Sequence, residues 1–167
     1  MVRLVTTKSK KIIKMAIVRL SKLTDVPTVA RNMREEDIKE VKAGLGASPE
    51  GSLLYAYFMS KPCLTVISRH GHLMAMGGVV PEGKDTGRIW LLGCQSMVDD
   101  SLDKRWFLRK SKKVLAEMQK KYPLLFNVVD ARNKVHVKWI GWLGFTFVKK
   151  HLNWGPEGRM FYEFVRI

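Results

Sequence analysis

The pattern of apolar positions is clearest between residues 124 and 148, where it predicts a strand, a short helix and a second strand. The run from Leu124 to Val129 is rich in β-branched residues and has the length of a buried strand. A helix is predicted over residues 131–143, with Asp130 or Asn133 as its cap. Its apolar stripe, predicted to be buried against the sheet, consists of Val135, Trp139, Trp142 and Leu143. Gly144 stands where a helix ends in a left-handed residue, so the segment is a compact β-α-β unit.

The rest of the chain alternates between strand-like and helix-like patterns. Strands are predicted over residues 16–20, 64–68, 73–80, 88–94, 145–148 and 160–165. Further helices are predicted after Thr24 or Asp25, over residues 32–41, after Ser48, and from Ser101 or Asp103 to about Tyr122. The apolar face of the third helix consists of Leu53, Leu54, Tyr57 and Phe58. This order predicts a single α/β domain with a mixed sheet flanked by helices.

Composition adds a strong positive charge to this picture. The 167 residues are 46% hydrophobic, which is enough for a substantial core, and the formal net charge is +15. Such a charge favours contact with nucleic acid or another polyanion, or with acidic neighbours in a large assembly. The sequence has no apolar run of about 18 residues and no apolar core of a signal peptide, so we expect synthesis in a cytoplasm without membrane insertion.

The positive charge is concentrated in two segments. Residues 1–15 form a basic N-terminal extension with no acidic residue, and residues 16–167 form the domain. The candidate contacts to a partner or to nucleic acid are Lys8, Lys10, Lys11 and Lys14 in the extension and Arg105, Arg109, Lys112 and Lys113 in the long helix. Each segment can also be interpreted as a solvated surface.

The other residues that could take part in catalysis, metal binding or base stacking are better explained as structural. Cys63 and Cys94 lie in apolar surroundings and are predicted to be buried free thiols. His70 and His72 have a spacing that can hold a metal ion, but no third ligand follows at a useful spacing, so no metal site is predicted. The tryptophans that could stack on bases, but whose helical spacing favours the core, are Trp106, Trp139, Trp142 and Trp154.

The spacing of Asn133 and the Gly144-Phe145 pair resembles a motif of the GCN5-related N-acetyltransferases. In that family the motif is Asn-x10-Gly-Phe, and the order of elements in the whole chain is also similar. The resemblance implies an acetyl-CoA site beside this helix, with the pyrophosphate held by backbone amides at the start of the long helix. The residues that would contact the cofactor, if it binds, are Leu92, Cys94 and Asn133.

Two departures from the family's pattern affect the chemistry it needs. Residues 95–102 contain no glycine where the family has its glycine-rich loop, and acidic residues take its place: Asp99, Asp100 and Asp103. Ile140 occupies the position of the tyrosine that would protonate the departing thiolate. We therefore expect no catalytic residues and no cofactor on a retained acetyltransferase-like fold. An active acetyl-CoA-dependent N-acetyltransferase is the alternative.

A longer pattern resembles the small internal virion proteins of short-tailed phages. It consists of Arg34-x-x-Asp37-x-x-Glu40, Gly46-x-x-Pro49, Trp90-Leu91-Leu92-Gly93, Asp130-Ala131-Arg132-Asn133 and Trp142-Leu143-Gly144-Phe145. This resemblance implies a virion-associated protein needed for assembly or genome delivery, with other virion proteins and packaged DNA as its expected partners. A basic DNA-binding protein is the remaining alternative, and only the charge supports it.

Overall fold

The computed structural model of the protein describes residues 15–167, which form one mixed sheet with helices on both faces. The strands are β1 (Ile17–Leu20), β2 (Cys63–Ile67), β3 (Leu73–Pro81), β4 (Thr86–Gly93), β5 (Leu124–Asp130), β6 (Thr146–Trp154) and β7 (Arg159–Arg166). The helices are α1 (Asp25–Arg31), α2 (Glu35–Leu45), α3 (Pro49–Met59), α4 (Ser96–Asp99), α5 (Ser101–Lys121) and α6 (Lys134–Trp142). The predicted single-domain α/β class is confirmed. Residues 1–14 of the predicted N-terminal extension, including its four lysines, lie outside the described residues.

The sheet opens between two of its central strands. Its order is β1-β2-β3-β4-β5-β7-β6, and only β4 and β5 are parallel neighbours. These two strands pair over three residues each, from Thr86 to Arg88 and from Leu124 to Phe126, and then diverge. Beyond that point β4 stays paired with β3 and β5 stays paired with β7. The result is a V-shaped opening between β4 and β5.

The core is divided between the two faces of the sheet, and β4 contributes to both. Ile89 packs in the cluster that contains Leu115 and Met118 of α5, whereas the next residue, Trp90, packs in the cluster of α1 and α3. This alternation is the period of two that a strand imposes on its side chains. No helix among residues 15–167 is long and apolar enough to cross a membrane.

Several predicted boundaries shift for identifiable reasons. Helix α2 continues through Gly44 and ends at Gly46, which has a positive φ of 65° and therefore takes the left-handed position that terminates the helix. The short helix α4 was not predicted, because four residues are too few to show a period. On α3, Phe58 is 66% exposed and does not belong to the buried face, contrary to the prediction.

The predicted orientation of α6 is right for Trp139 and Leu143, which pack in the core, and wrong for the other two residues of the predicted stripe. Trp142 is 47% exposed and Val135 is 57% exposed, whereas Ile140 and Leu143 are buried. Relative to the predicted orientation, the helix is rotated about its axis by about 100°, the angle between successive residues. The rotation is fixed at its start, because the buried side chain of Asn133 bonds to α2 and lies on the same helical face as Ile140, seven positions later.

Candidate functional site at the opening between β4 and β5

The divergence of β4 and β5 leaves a cavity of about 390 Å³. Apolar side chains of the sheet and of helices α2, α3, α5 and α6 line most of it, among them Trp90 of β4, Val114 of α5 and Ile140 of α6. Glu40 and His136 are among its polar residues. A volume of this size is within the usual range for a small-molecule site.

A network of polar side chains, three of them buried and one half-buried, lies at one end of the opening, and we call it the polar bracket. It consists of Arg34, Asp37, Glu40 and Asn133. Asp37 of α2 is its centre. Its Oδ2 accepts a hydrogen bond from the amide of Gly93 at 2.8 Å, and its Oδ1 accepts from Arg34 at 3.1 Å and from Asn133 at 3.0 Å. The bracket therefore ties the ends of β4 and β5 together through α2.

Asn133 uses both amide hydrogens inside the bracket. Its Nδ2 donates to Asp37 and to Oε2 of Glu40 at 3.0 Å, while its Oδ1 accepts from Arg34 at 3.0 Å. It occupies the N-cap position of α6, yet its side chain makes no capping bond. Asp130 does not cap the helix either, because its carboxylate pairs with Arg132 at 2.6 Å. Asn133 is therefore the N-cap residue by position, as one alternative predicted, but neither side chain caps α6, and both connect other parts of the site.

The charges of the bracket are not balanced if every carboxyl is ionised. Arg34 pairs with Asp37 and Arg132 pairs with Asp130, and no cation among residues 15–167 forms an ion pair with Glu40. Burial, followed by the nearby charges of Asp37 and Asp130, raises the pKa of Glu40 to about 8 against the opposing hydrogen bond from Asn133. Glu40 is therefore mainly protonated at neutral pH. Burial also lowers the pKa of His136, so its imidazole is uncharged at neutral pH.

The N-terminus of α5 is occupied by side chains of the protein itself. Asp100 accepts hydrogen bonds from the amides of Leu102 at 2.8 Å and Asp103 at 3.1 Å, and it pairs with Arg69 at 2.8 Å. These amides and the guanidinium lower the pKa of Asp100 to about 2. The carboxylate is a favourable cap, because the helix dipole places partial positive charge at this end.

The same corner of the structure brings His70 within reach of two carboxylates. Potential ligand atoms of His70, Asp100 and Asp103 lie within 4.8 Å of one another, a grouping that sequence spacing did not reveal. His72 is not part of the group. The backbone amide of Arg69 also donates to Asp103 at 3.2 Å, so Arg69 contacts both acids. The cluster is explained by these bonds without an ion.

The three predicted cofactor-contacting residues are not brought together at the cavity. Leu92 is half-buried and lines it, but Cys94 and Asn133 are not among the described residues of its wall. Cys94 donates its amide to Met74 and lies with its sulfur 3.9 Å from the carbonyl of Val29. Both cysteines are buried free thiols, as predicted, and burial raises the pKa of each, that of Cys94 to about 11.

Helix α5 presents a basic face to solvent. The four predicted contact residues on it are all exposed: Arg105, Arg109, Lys112 and Lys113. The helix carries eight lysines and arginines against two acids, of which Asp103 is buried and Glu117 pairs with Lys120 at 2.7 Å. The exposed face therefore keeps an excess of positive charge.

Comparison with known proteins identifies the fold. No protein-family model and no curated protein match this sequence. Among solved structures, an acetyltransferase of the GNAT family from Bacillus anthracis aligns with a TM-score of 0.68 at 12% identity, over 93% of this chain and 96% of that chain. The ribosomal-protein-S18-alanine N-acetyltransferase from Escherichia coli aligns with a TM-score of 0.65 at 15% identity, over 91% and 93%. The chain has the GCN5-related N-acetyltransferase fold.

A third solved structure carries ligands. The spermidine N-acetyltransferase from Vibrio cholerae, in complex with CoA and spermine, aligns with a TM-score of 0.65 at 10% identity, over 90% of this chain and 94% of that chain. At such identities the likeness establishes the fold alone. The fold expected from the Asn133 motif is thereby confirmed, whereas the phage resemblance stays a prediction.

Proposed function

We propose that this chain is a phage virion-associated protein that uses the acetyltransferase-like fold as a binding module without transferring acetyl groups. The main observation in favour of lost catalysis is that the carboxylate of Asp100 caps the N-terminus of α5. Its first amides already bond to the carboxylate of Asp100, so a pyrophosphate would have to displace a bound anion and lie beside Asp103. These residues do not fit the diphosphate of acetyl-CoA.

Two further residues support the absence of acetyl transfer. Ile140 is buried in the core where the family has its proton-donating tyrosine, and an alkyl side chain cannot donate a proton. Asn133 is committed to the polar bracket, so its amide cannot reach a ligand without breaking two hydrogen bonds. Both features support the proposed loss of acetyl transfer.

The virion role is supported by the phage-like sequence pattern. Arg34, Asp37, Glu40 and Asn133 belong to that pattern, and they are the residues that form the polar bracket. The resemblance therefore falls on side chains that bond to one another across the site rather than on scattered positions.

Acetyl-CoA should not bind to the protein at physiological concentration. The expected calorimetric titration is flat, while the Vibrio cholerae acetyltransferase, whose structure holds CoA, serves as the positive control. The variant Asp100→Asn keeps a capping oxygen and removes one negative charge, so a gain of binding there would identify the carboxylate as the obstacle. Micromolar binding by the unaltered protein would instead favour the alternative of an active N-acetyltransferase, for which the cavity provides room.

The basic face of α5 and the N-terminal extension are the proposed contacts to acidic virion proteins, with packaged DNA as the second partner. Arg105→Glu with Arg109→Glu should weaken co-sedimentation with virion proteins by roughly tenfold, because reversed charges repel an acidic surface. Lys22→Glu with Lys42→Glu, an equal change of charge at exposed positions elsewhere, is the matched control and should change it little.

The role of the N-terminal extension is tested by co-sedimentation of a chain that lacks residues 1–14 with virion proteins and with duplex DNA. Binding to a protein should saturate at a fixed stoichiometry, whereas duplex DNA should give a log–log salt slope of about −0.9 per phosphate contact. If neither the charge reversal nor the deletion alters co-sedimentation, the proposed contacts are wrong.

A further inference from the structure

An exposed tryptophan lies against a lysine where α5 and α6 meet. Trp142 is 47% exposed, and the ammonium nitrogen of Lys112 lies 4.0 Å from the centroid of its ring. This is a cation–π contact, and it holds an aromatic side chain at the surface of a strongly basic helix. The core does not explain Trp142, because α6 packs through Ile140 and Leu143 instead.

Each of the two helices presents further exposed residues beside this pair. On α5, Arg105, Arg109 and Lys112 recur at i, i+4 and i+7, so they lie on one side of the helix. On α6, Lys138 lies four positions before Trp142 and is also exposed. We call these five residues the α5–α6 ridge. Helix α6 contains no acidic residue, and neither acid of α5 is free to neutralise the ridge.

We propose that the α5–α6 ridge binds single-stranded nucleic acid, with one base stacked on Trp142 and the phosphates held by the arginines and lysines. Basic grooves with an exposed aromatic side chain are the usual means of binding single strands, because every base offers a flat face to a ring. The eight residues from Arg105 to Lys112 extend about 10 Å along the helix, so their cations can contact more than one phosphate of the same strand.

Other polyanions would use only part of this surface. A DNA duplex keeps its bases stacked inside, so it would contact the cations and leave the ring of Trp142 unused. An acidic peptide would likewise bind through the charges. The inference goes beyond the proposed function, since a nucleic-acid strand and an acidic virion protein would compete for Arg105 and Arg109, and it does not depend on the loss of catalysis.

The test compares binding of an oligothymidine of about 15 nucleotides with binding of a duplex of the same length, by fluorescence anisotropy of labelled DNA. Trp142→Ala should weaken binding of the single strand by roughly tenfold, and Trp142→Phe should weaken it less because a smaller ring still stacks. Binding of the duplex should change less than about twofold. Phe58→Ala, which removes an even more exposed aromatic side chain on α3, is the matched control and should leave both affinities unchanged.

Three outcomes would overturn the inference. The first is an unchanged affinity of Trp142→Ala for oligothymidine, and the second is an equal loss on the single strand and the duplex. The third is that polyglutamate competes as well as oligothymidine and with the same dependence on Trp142, which would indicate an acidic protein partner. Trp142→Phe keeps an aromatic ring and the fold, so the comparison stands even if the alanine variant is unstable.

Discussion

Replacing Asp37 by alanine should lower the free energy of unfolding by about 3–5 kcal/mol. Asp37 is only 2% exposed and accepts three hydrogen bonds, from Gly93, Arg34 and Asn133. Its loss leaves the guanidinium of Arg34 buried without a carboxylate and releases the connection between α2 and β4. Breaking one side of a buried charge pair is among the most destabilising single changes in a protein.

Urea denaturation measures this effect, with an unchanged m-value as the sign that the folded state keeps its compactness. Glu36→Ala changes the preceding residue, which is exposed, and should cost less than about 0.5 kcal/mol. Adding Arg34→Leu to Asp37→Ala should recover part of the loss, because the unpaired charge is then removed. A loss below about 1 kcal/mol for Asp37→Ala would contradict a structural role for the polar bracket.

Sequence patterns predicted the elements of this fold because those patterns are local. The apolar run of β5 and the left-handed Gly144 can be identified from neighbouring residues, and both are present at the expected positions. The hairpin between β2 and β3 is similar, since Gly71 provides its positive φ of 85°. A mixed sheet then follows from the order of strands and helices.

The site could not be predicted in the same way, because its contacts cross most of the chain. Asp37 and Asn133 bond to each other although they are 96 positions apart. The regular spacing of Arg34, Asp37 and Glu40 indicated that these residues belong to one pattern, but it did not say what they bind. The sequence therefore indicated which residues belong to the bracket, but not which of them bond to one another.

The prediction of the buried face of α6 failed for a related reason. Two apolar stripes compete on this short helix, one through Trp142 and one through Ile140, and the larger side chains favoured the wrong one. The choice is decided by Asn133, whose contact with α2 fixes the rotation of the first turn. A tertiary hydrogen bond thus overrides the local pattern, and it leaves Trp142 at the surface for another role.

Glu40→Gln should make the protein more stable at high pH and should change its stability little below about pH 4.5. The pKa of Glu40 is raised from an ordinary value of 4.5 to about 8 in the folded state. In the unfolded chain this carboxyl ionises near pH 4.5, whereas the folded protein retains the proton until about pH 8. The wild-type protein therefore loses stability as pH rises through this window, and the loss is complete above the folded pKa.

Glutamine resembles the protonated acid and can still accept the hydrogen bond from Asn133, so the variant escapes that loss. The groups that face Glu40 are Asp37 on its own helix and Asp130 of β5 with its partner Arg132. At pH 9 the variant should be more stable than the wild type by roughly 2–4 kcal/mol, since each pKa unit corresponds to about 1.4 kcal/mol and solvent relaxation reduces the full effect. Urea denaturation of both proteins between pH 4 and pH 9 measures the difference, with the exposed Glu36→Gln as the matched control. Parallel stability curves for Glu40→Gln and the wild type would mean that Glu40 ionises at its ordinary pKa, with its charge balanced by the nearby Arg34 and Arg132.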